Sequence, residues 1–210
     1  MQDWFFATAF TLWGLPTTRL EAIAFGLALM MVVGNIRIRP WAWPLAISSS
    51  LLYFWLFWHH RLYGEGSLQV FFIVMAAWGW WQWLRGTLPD GSALQPRRMS
   101  PVQRAQVLGV ILLAWPLLGL YLSRATDSDV PWWDAFPTAA SLVGQWLLGR
   151  QWIENWAVWI AVNAVSVGLF VYKGLWLTAL LYLLFIALSV VGWRAWSARM
   201  APAVASKPAS

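Results

Sequence analysis

The 210-residue chain has no cysteine and little charge, since Asp, Glu, Lys and Arg make up only 10% of it. The absence of cysteine excludes disulfides and thiolate metal sites. The scarcity of charge argues against an ordinary soluble domain, in which about a quarter of the residues are charged. What the chain has instead is 60% hydrophobic residues, a mean hydropathy of +0.59 and 20 tryptophans. This composition indicates a protein whose solvent is a lipid bilayer.

Seven apolar segments follow one another along the chain, and about 20 helical residues suffice to cross a hydrocarbon core. They occupy 20–36, 41–58, 68–84, 103–122, 133–148, 152–172 and 175–196. Residues 4–15 are rich in aromatic side chains and are followed by Pro16. They predict an interfacial helix. The polar residues 85–100 predict a loop, and the closing stretch APAVASKPAS predicts a disordered tail.

The placement of the basic residues predicts how these spans are oriented. Seven spans put the termini on opposite sides; the N-terminal side then holds 4 Lys and Arg residues and the other side 10, which together are all 14. Because cytoplasmic loops carry the excess of positive charge, we expect the N-terminus outside and the C-terminus in the cytoplasm. The net charge of +6 is then an orientation signal and does not predict nucleic-acid binding.

An internal repeat is indicated by GWWQW at 79–83 and GWRAW at 192–196, which are 113 residues apart. PWAW at Pro40 resembles NWAV at Asn155 if two residues slip. The same offset of 113 also pairs Phe72 with Phe185, Gln69 with Tyr182 and Glu21 with Asp134. The offset crosses four spans, so both halves insert in the same orientation, and a chance match of aromatic-rich spans is the alternative.

The sequence therefore predicts an all-α integral membrane protein with seven transmembrane helices in a parallel 3+1+3 repeat. We divide it into an N-terminal interfacial segment (1–18), a first three-helix repeat (19–86), a loop and linker helix (87–124), a second three-helix repeat (125–197) and a disordered cytoplasmic tail (198–210).

Polar residues share one face in the later spans, because successive helical residues turn by about 100°. The face of span six carries Trp156, Trp159, Asn163, Ser166 and Phe170, and that of span five carries Asp134, Thr138, Ser141 and Gln145. An unpaired amide in hydrocarbon costs several kcal/mol, so these faces must meet protein, water or ligand. Hydrogen bonds between helices are the alternative for the serines, an interfacial belt for Trp156, and helix capping for Asp134.

We predict a substrate-binding site made from these faces and from those of spans three and seven. Its candidate residues are Trp156, Trp159, Asn163, Gln145, Ser141, Asp134, Tyr182, Gln69, Phe72 and Trp80. No catalytic residue, metal or cofactor is expected, since no span contains a Cys or His that could serve as nucleophile, base or ligand. An intramembrane enzyme and a non-transporting helical scaffold are the competing hypotheses. The sequence leaves the oligomeric state open, a homo-oligomer included.

The segment from Pro131 to Trp196 resembles the C-terminal half of the PnuC family of bacterial nicotinamide riboside transporters. Its pattern ENWxxWxxxN, at Glu154 to Asn163, is the most specific part, and SLQVFFIVMAAWGWWQW resembles the family's third span. The resemblance covers about residues 20 to 197. It implies an inner-membrane carrier with the layout of SWEET sugar transporters, and facilitated diffusion of nicotinamide riboside that a cytoplasmic kinase then traps for NAD biosynthesis. It also implies that Trp156, Trp159 and Asn163 contribute to the substrate site.

The chemistry of the candidate residues agrees with that substrate. Tryptophan faces suit a flat cation, by roughly 0.5–2 kcal/mol, and Asn163 and Gln145 can both donate and accept hydrogen bonds. No basic residue lies in the middle of a span to meet a phosphate, so we expect the nucleotide to be rejected. No carboxylate lies at depth either, which favours a uniporter over an ion-coupled carrier. Thiamine, which related branches of the family carry, is the alternative substrate.

Overall fold

The computed structural model describes residues 2–12, 14–59, 63–88, 91–126, 130–172 and 176–200. These residues form eight helices and one two-stranded antiparallel sheet. The elements are α1 Gln2–Phe6, β1 Thr8–Leu12, β2 Leu15–Thr18, α2 Arg19–Ile36, α3 Ala42–His59, α4 Tyr63–Arg85, α5 Pro101–Ala125, α6 Pro131–Gly149, α7 Asn155–Tyr172 and α8 Trp176–Met200.

Each of the helices α2 to α8 overlaps one predicted span. The boundaries differ most at the start of α4, which begins at Tyr63, and at the end of α8, which continues to Met200; residues 152–154 precede α7 and are not helical. Within the described residues, three stretches are long and apolar enough to cross a membrane: Pro101–Ala125, Asn155–Tyr172 and Ala179–Met200. The stretch Ala22–Ile36 of α2 is apolar but shorter.

The N-terminal segment is not the single helix that we predicted for residues 4–15. Helix α1 ends at Phe6, and the chain then forms the β1–β2 hairpin, in which Thr8 pairs with Thr18 and Leu12 with Leu15. Gly14 has φ +82°, a left-handed conformation that glycine adopts without steric cost. This turn reverses the chain, so cross-strand hydrogen bonds replace helical ones.

The C-terminal boundary also differs from the prediction. Helix α8 continues to Met200, so residues 198–200 are helical and do not belong to a disordered tail. Three further residues add one turn, which follows from the helix-forming Ala198, Arg199 and Met200. Residues 201–210 lie outside the described residues.

Six helices pack in a closed ring. Helix α2 packs on α3, α3 on α4, α4 on α6, α6 on α7, α7 on α8, and α8 returns to α2. The C-terminal ends of α2, α4, α6 and α8 meet, because Trp83 of α4 contacts Leu148 of α6 and Trp196 of α8 contacts Asn35 of α2. We call this end, which carries Arg37, Arg85, Arg150 and Arg199, the basic end of the ring.

Helix α5 packs along α6 outside the ring. Ser100 caps its N-terminus: the Ser100 hydroxyl accepts from the Gln103 amide, and the Gln103 side chain accepts from the Ser100 amide. Most of its surface is exposed and apolar, including Val102, Leu113 and Leu117. An apolar helix that is exposed on most sides is suited to lipid rather than water.

Glu154 ties the start of α7 to the connection before α5. Its buried carboxylate accepts from the Met99 amide at 3.1 and 3.2 Å and pairs with Arg104 Nε at 3.0 Å. The Arg97 amide donates to Gln151 O at 3.1 Å, and the Ile153 amide donates to Arg97 O at 3.0 Å. These bonds hold the α4–α5 and α6–α7 connections together at the basic end.

Candidate functional site

The polar face of α6 points into the ring. The residues of α6 on one side of this face contact α7. Ala140 clusters with Val162, and a Cβ on Gly144 would lie 3.3 Å from the Trp159 ring. On the other side, Gly149 faces Trp78 of α4. Ser141 and Gln145 lie between these two directions on the helix, so they face the space between α4 and α7.

The polar face of α7 points the same way. Trp156 contacts Trp196 and Gly192 of α8, whereas Trp159 contacts Gly144 of α6. Asn163 lies between Trp156 and Trp159 in angle, at roughly 340° where Trp156 is 0° and Trp159 is 300°. Asn163 therefore faces the ring interior between α6 and α8.

Four buried polar side chains of α6 and α7 form what we call the polar layer. Asn163 and Ser166 are 4% exposed, Gln145 is 7% exposed and Ser141 is 8% exposed. In the part of the chain that the structure describes, none of the four side chains makes a hydrogen bond. Their polar atoms are not among the fully enclosed, unpartnered atoms of the described residues, so a polar ligand can reach and bond them.

Aromatic side chains lie on both sides of the polar layer. Phe170 contacts Tyr182 with ring centroids 4.9 Å apart, and Tyr182 contacts Phe185 at 5.8 Å. Asn163 is seven residues from Trp156 and seven from Phe170, which is about 10 Å along the helix in each direction. The polar layer is thus midway between two aromatic clusters.

The second cluster, at the basic end, is a tryptophan quartet made of Trp43, Trp83, Trp156 and Trp196. Trp43 meets Trp83 edge-on at 5.3 Å, and Trp156 meets Trp196 edge-on at 5.4 Å. Trp83 and Trp196 lie 6.2 Å apart and join the two pairs. Trp83 Nε1 donates to Leu148 O and Trp196 Nε1 donates to Asn35 O, both at 3.1 Å.

Residues 113 positions apart have matching surroundings in this cluster. The pairs are Trp43 and Trp156, Trp83 and Trp196, Gly79 and Gly192, the acceptors Asn35 and Leu148, and the left-handed residues Ile38 and Gln151. The two-residue slip that we predicted between Pro40 and Asn155 is therefore wrong. Trp43 corresponds to Trp156 without a slip, because the α2–α3 and α6–α7 connections share one backbone turn at Ile38 and Gln151.

The structure separates the predicted site residues into several places. Trp156 is 3% exposed and belongs to the quartet, while Trp159 packs beside Ile111, Ala140 and Val162 near α5. Tyr182 is 14 residues from Trp196 on the same helix, about 21 Å away along it.

The remaining candidates are less buried. Asp134 lies in the first turn of α6, where its carbonyl accepts from Thr138 Oγ1. Gln69 and Phe72 are half-buried on α4, and Trp80 is 37% exposed on the same helix. Of the ten candidates, the polar layer brings together Ser141, Gln145 and Asn163.

Sequence reasoning missed that Trp43, Trp83 and Trp196 pack in one cluster with Trp156. The repeat offset was the signal that could have found them, because Trp83 and Trp196 occur in the two GWxxW motifs. The assumed slip hid the match between Trp43 and Trp156.

Two cavities lie outside the ring, next to α5 and α6. One of about 480 Å³ is lined mainly by apolar residues, among them Val107, Val110 and Val143. The other, of about 490 Å³, includes Arg97 and Arg150. Gln103, Trp146 and Trp152 line both cavities, and none of the predicted site residues lines either.

A ring of apolar helices around buried polar side chains is the architecture of an integral membrane protein. The chain belongs to the nicotinamide mononucleotide transporter family, whose model matches residues 18–198. It is thus a membrane transporter by family.

Individual relatives are named for different vitamins. The chain is 29% identical over 201 residues to the riboflavin/roseoflavin transporter RibM of Streptomyces davaonensis. The aligned region covers 92% of each chain. It is 25% identical over 165 residues to the nicotinamide riboside transporter PnuC of Escherichia coli, which covers 67% of this chain and 69% of PnuC. The crystal structure of the vitamin B3 transporter PnuC has the same fold, with a TM-score of 0.69 and 20% identity over 85% of this chain and 80% of that one.

Close packing of the quartet predicts that Gly192→Ala and Gly79→Ala destabilise the protein. A Cβ at Gly192 would lie 2.6 Å from the Trp156 ring, and one at Gly79 would overlap the Trp43 ring, so each ring must move. We expect a loss of about 1–3 kcal/mol, seen as a lower midpoint of thermal unfolding in detergent by tryptophan fluorescence. Gly109→Ala, whose Cβ has no neighbour within 4 Å, is the control. Equal midpoints for Gly192→Ala and Gly109→Ala would contradict this packing.

Proposed function

We propose that the protein carries nicotinamide riboside across the membrane by facilitated diffusion and that the substrate binds at the polar layer. The observation that carries this proposal is the set of four buried polar side chains without hydrogen-bond partners among the described residues. Nicotinamide riboside offers a carboxamide and ribose hydroxyls, which can donate to and accept from Asn163, Gln145, Ser141 and Ser166. Binding would replace the hydrogen bonds that these groups lack.

The aromatic clusters supply the second part of the recognition. Tyr182, Phe170 and Phe185 lie on one side of the polar layer and the tryptophan quartet on the other. Aromatic faces attract a pyridinium cation by roughly 0.5–2 kcal/mol. A site with amide and hydroxyl groups between aromatic rings thus matches a flat cation joined to a sugar. Trp156 and Trp159 would contribute to the walls of this path rather than to the polar layer.

The phosphorylated form does not suit this site, although the family model is named for the mononucleotide. The described arginines lie in the terminal turns of α2, α4 and α5, in the adjoining connections or in the last two turns of α8, and Arg104 already pairs with Glu154. A phosphate dianion at the polar layer would have no cation beside it, which is costly in a low dielectric. We therefore propose that the dephosphorylated nucleoside is carried and that a cytoplasmic kinase traps it by phosphorylation.

The proposed mechanism uses two three-helix units, α2–α4 and α6–α8, with α5 as the linker, in a parallel 3+1+3 arrangement similar to that of SWEET transporters. The closed ring of contacts and the matching surroundings of residues 113 apart support this plan. We place the basic end in the cytoplasm, because it carries the excess of arginine. No coupling ion is invoked, since the polar layer contains no carboxylate.

The tryptophan quartet closes the path at the basic end in this mechanism. Its two hydrogen bonds join α4 to α6 and α8 to α2, so each crosses between the two units. Release toward the cytoplasm then requires that both bonds break and that Trp83 and Trp196 separate. Rocking of the units about the polar layer would provide this motion.

Riboflavin is the second candidate substrate. The observation that favours it is the match to RibM, which spans 92% of both chains. A flavin is larger and uncharged, so it would need stacking without cation–π attraction. Ligand binding can separate the two substrates.

The substrate proposal predicts selective stabilisation of the purified protein in detergent. Nicotinamide riboside should raise the unfolding midpoint, because saturating ligand at about 100 times its Kd adds about 2.7 kcal/mol. Nicotinamide mononucleotide should not raise it. Thermal shifts with these two compounds, riboflavin and thiamine would be compared. A shift with riboflavin or thiamine alone would refute the substrate while preserving the transporter class.

Asn163→Ala should weaken substrate binding by about ten- to a hundredfold, because it removes a buried amide that bonds the ligand. Binding is measured by titration calorimetry and uptake in proteoliposomes without an ion gradient. Ala161→Ser, on the exposed side of the same helix, is the control and should behave as wild type. Wild-type affinity in a folded Asn163→Ala variant would show that the polar layer is not part of the substrate site.

Loss of both indole donors should open the basic end. The double variant Trp83→Phe/Trp196→Phe keeps two aromatic rings but removes the hydrogen bonds to Leu148 and Asn35. The native chain has no cysteine, so Ser166→Cys reports access through its rate of labelling by a water-soluble maleimide. We expect Ser166→Cys to be labelled several-fold faster in the double variant than in a control that carries Trp81→Phe. Trp81 is an exposed residue on the same helix as Trp83. Equal labelling rates would show that the quartet does not close the path.

A further inference from the structure

Among the described residues, Arg97 and Arg150 face the same cavity and neither has an acidic partner. The cavity of about 490 Å³ is lined by both arginines together with Gln103, Trp146 and Trp152. In the described part of the chain, the ion pair Arg104–Glu154 is the one that forms, and neither Arg97 nor Arg150 contacts a carboxylate. Two cations therefore line one cavity with no carboxylate of the described residues between them.

The Arg97 side chain is held in place rather than free in solvent. Its guanidinium lies 4.0 Å from the Trp152 ring centroid, and its Nε is buried with no hydrogen-bond partner. The Arg97 backbone is bonded on both sides to the α6–α7 connection. Burial and, secondarily, the charge of Arg150 lower the pKa of Arg97. A negative charge between the two groups would relieve both effects.

The apolar cavity of about 480 Å³ continues from this pair along α5 and α6. Gln103, Trp146 and Trp152 line both cavities, so the two lie side by side. Val110 is seven residues beyond Gln103 on α5, about 10 Å farther from the basic end. The groove thus leads from two arginines into the apolar surface that α5 exposes.

We propose that this composite groove binds an anionic phospholipid, with the phosphodiester between Arg97 and Arg150 and an acyl chain between α5 and α6. A guanidinium pair matches a phosphate by charge-assisted hydrogen bonds. Gln103 can donate to a headgroup oxygen, and Trp146, which is exposed, lies where tryptophans meet the bilayer interface. A free phosphate would leave the apolar groove unused, so lipid is the occupant that accounts for both cavities. The site is separate from the polar layer and does not depend on which vitamin is carried.

The test measures lipid retained by the delipidated, full-length protein in native mass spectrometry. Phosphatidylglycerol should be retained at least about tenfold more than phosphatidylcholine, and Arg97→Gln/Arg150→Gln should abolish that preference. The control is Arg37→Gln/Arg39→Gln, which removes the same charge from the exposed α2–α3 connection and should keep the preference. Equal preference in both double variants would overturn the proposal.

A further variant and a free anion distinguish the two parts of the groove. Val110→Trp fills the apolar cavity at an exposed position, so it should reduce phosphatidylglycerol retention while leaving the arginines in place. Inorganic phosphate should not compete with the lipid at equal concentration. Full competition by phosphate, or wild-type retention by Val110→Trp, would indicate a simple anion site and overturn the lipid assignment. Thermal shifts with nicotinamide riboside are measured on the same samples. A normal shift in a sample that fails the lipid test would refute the lipid site and leave the transport proposal standing.

Discussion

The contact of Trp83 with Trp196 is the interaction on which the closed ring depends. These residues come from α4 and α8, and each indole donates to a carbonyl at the end of a helix in the other unit. The edge-on partners Trp43 and Trp156 fit only because positions 79 and 192 are glycine, where a Cβ would overlap a ring. Small residues at these positions let the helix backbones approach closely, as membrane helices require in the absence of a hydrophobic force between them.

The serines of the bundle show how the structure separates structural polar groups from those free for a ligand. Ser49 of α3 donates to Ala24 O of α2, and Ser189 donates to Phe185 O within α8, so both hydroxyls are satisfied by backbone carbonyls. Ser141 and Ser166 are as well buried but make no such bond among the described residues. Since the residue type is the same, the difference arises from position: the second pair lies beside Gln145 and Asn163 on faces that point into the ring.

The N-terminal end of α5 is tied to the ring at the basic end. At the basic end, Glu154 neutralises Arg104 and anchors the connection at Met99, while Arg97 and Arg150 have no carboxylate partner among the described residues. One buried acid thus fixes the geometry, and the surplus of positive charge faces outward. Helix α5 packs on α6, which also bears the polar face of the ring. A lipid between α5 and α6 would therefore contact the outer surface of a helix whose inner surface holds Ser141 and Gln145.

The sequence by itself determined the number of long helices, their approximate limits and the face that carries Ser141, Gln145 and Asn163. Apolar length and a turn of about 100° per residue are local properties, so the residues of one helix suffice for them. Local properties did not suffice at the N-terminus, where strand pairing of Thr8 with Thr18 replaces the predicted helix. Only the tertiary structure decided which faces meet: Trp83 with Leu148, 65 residues away, Trp196 with Asn35, 161 residues away, and Arg97 with the Trp152 ring. Those contacts depend on how helices close into a ring, and no local periodicity encodes that choice.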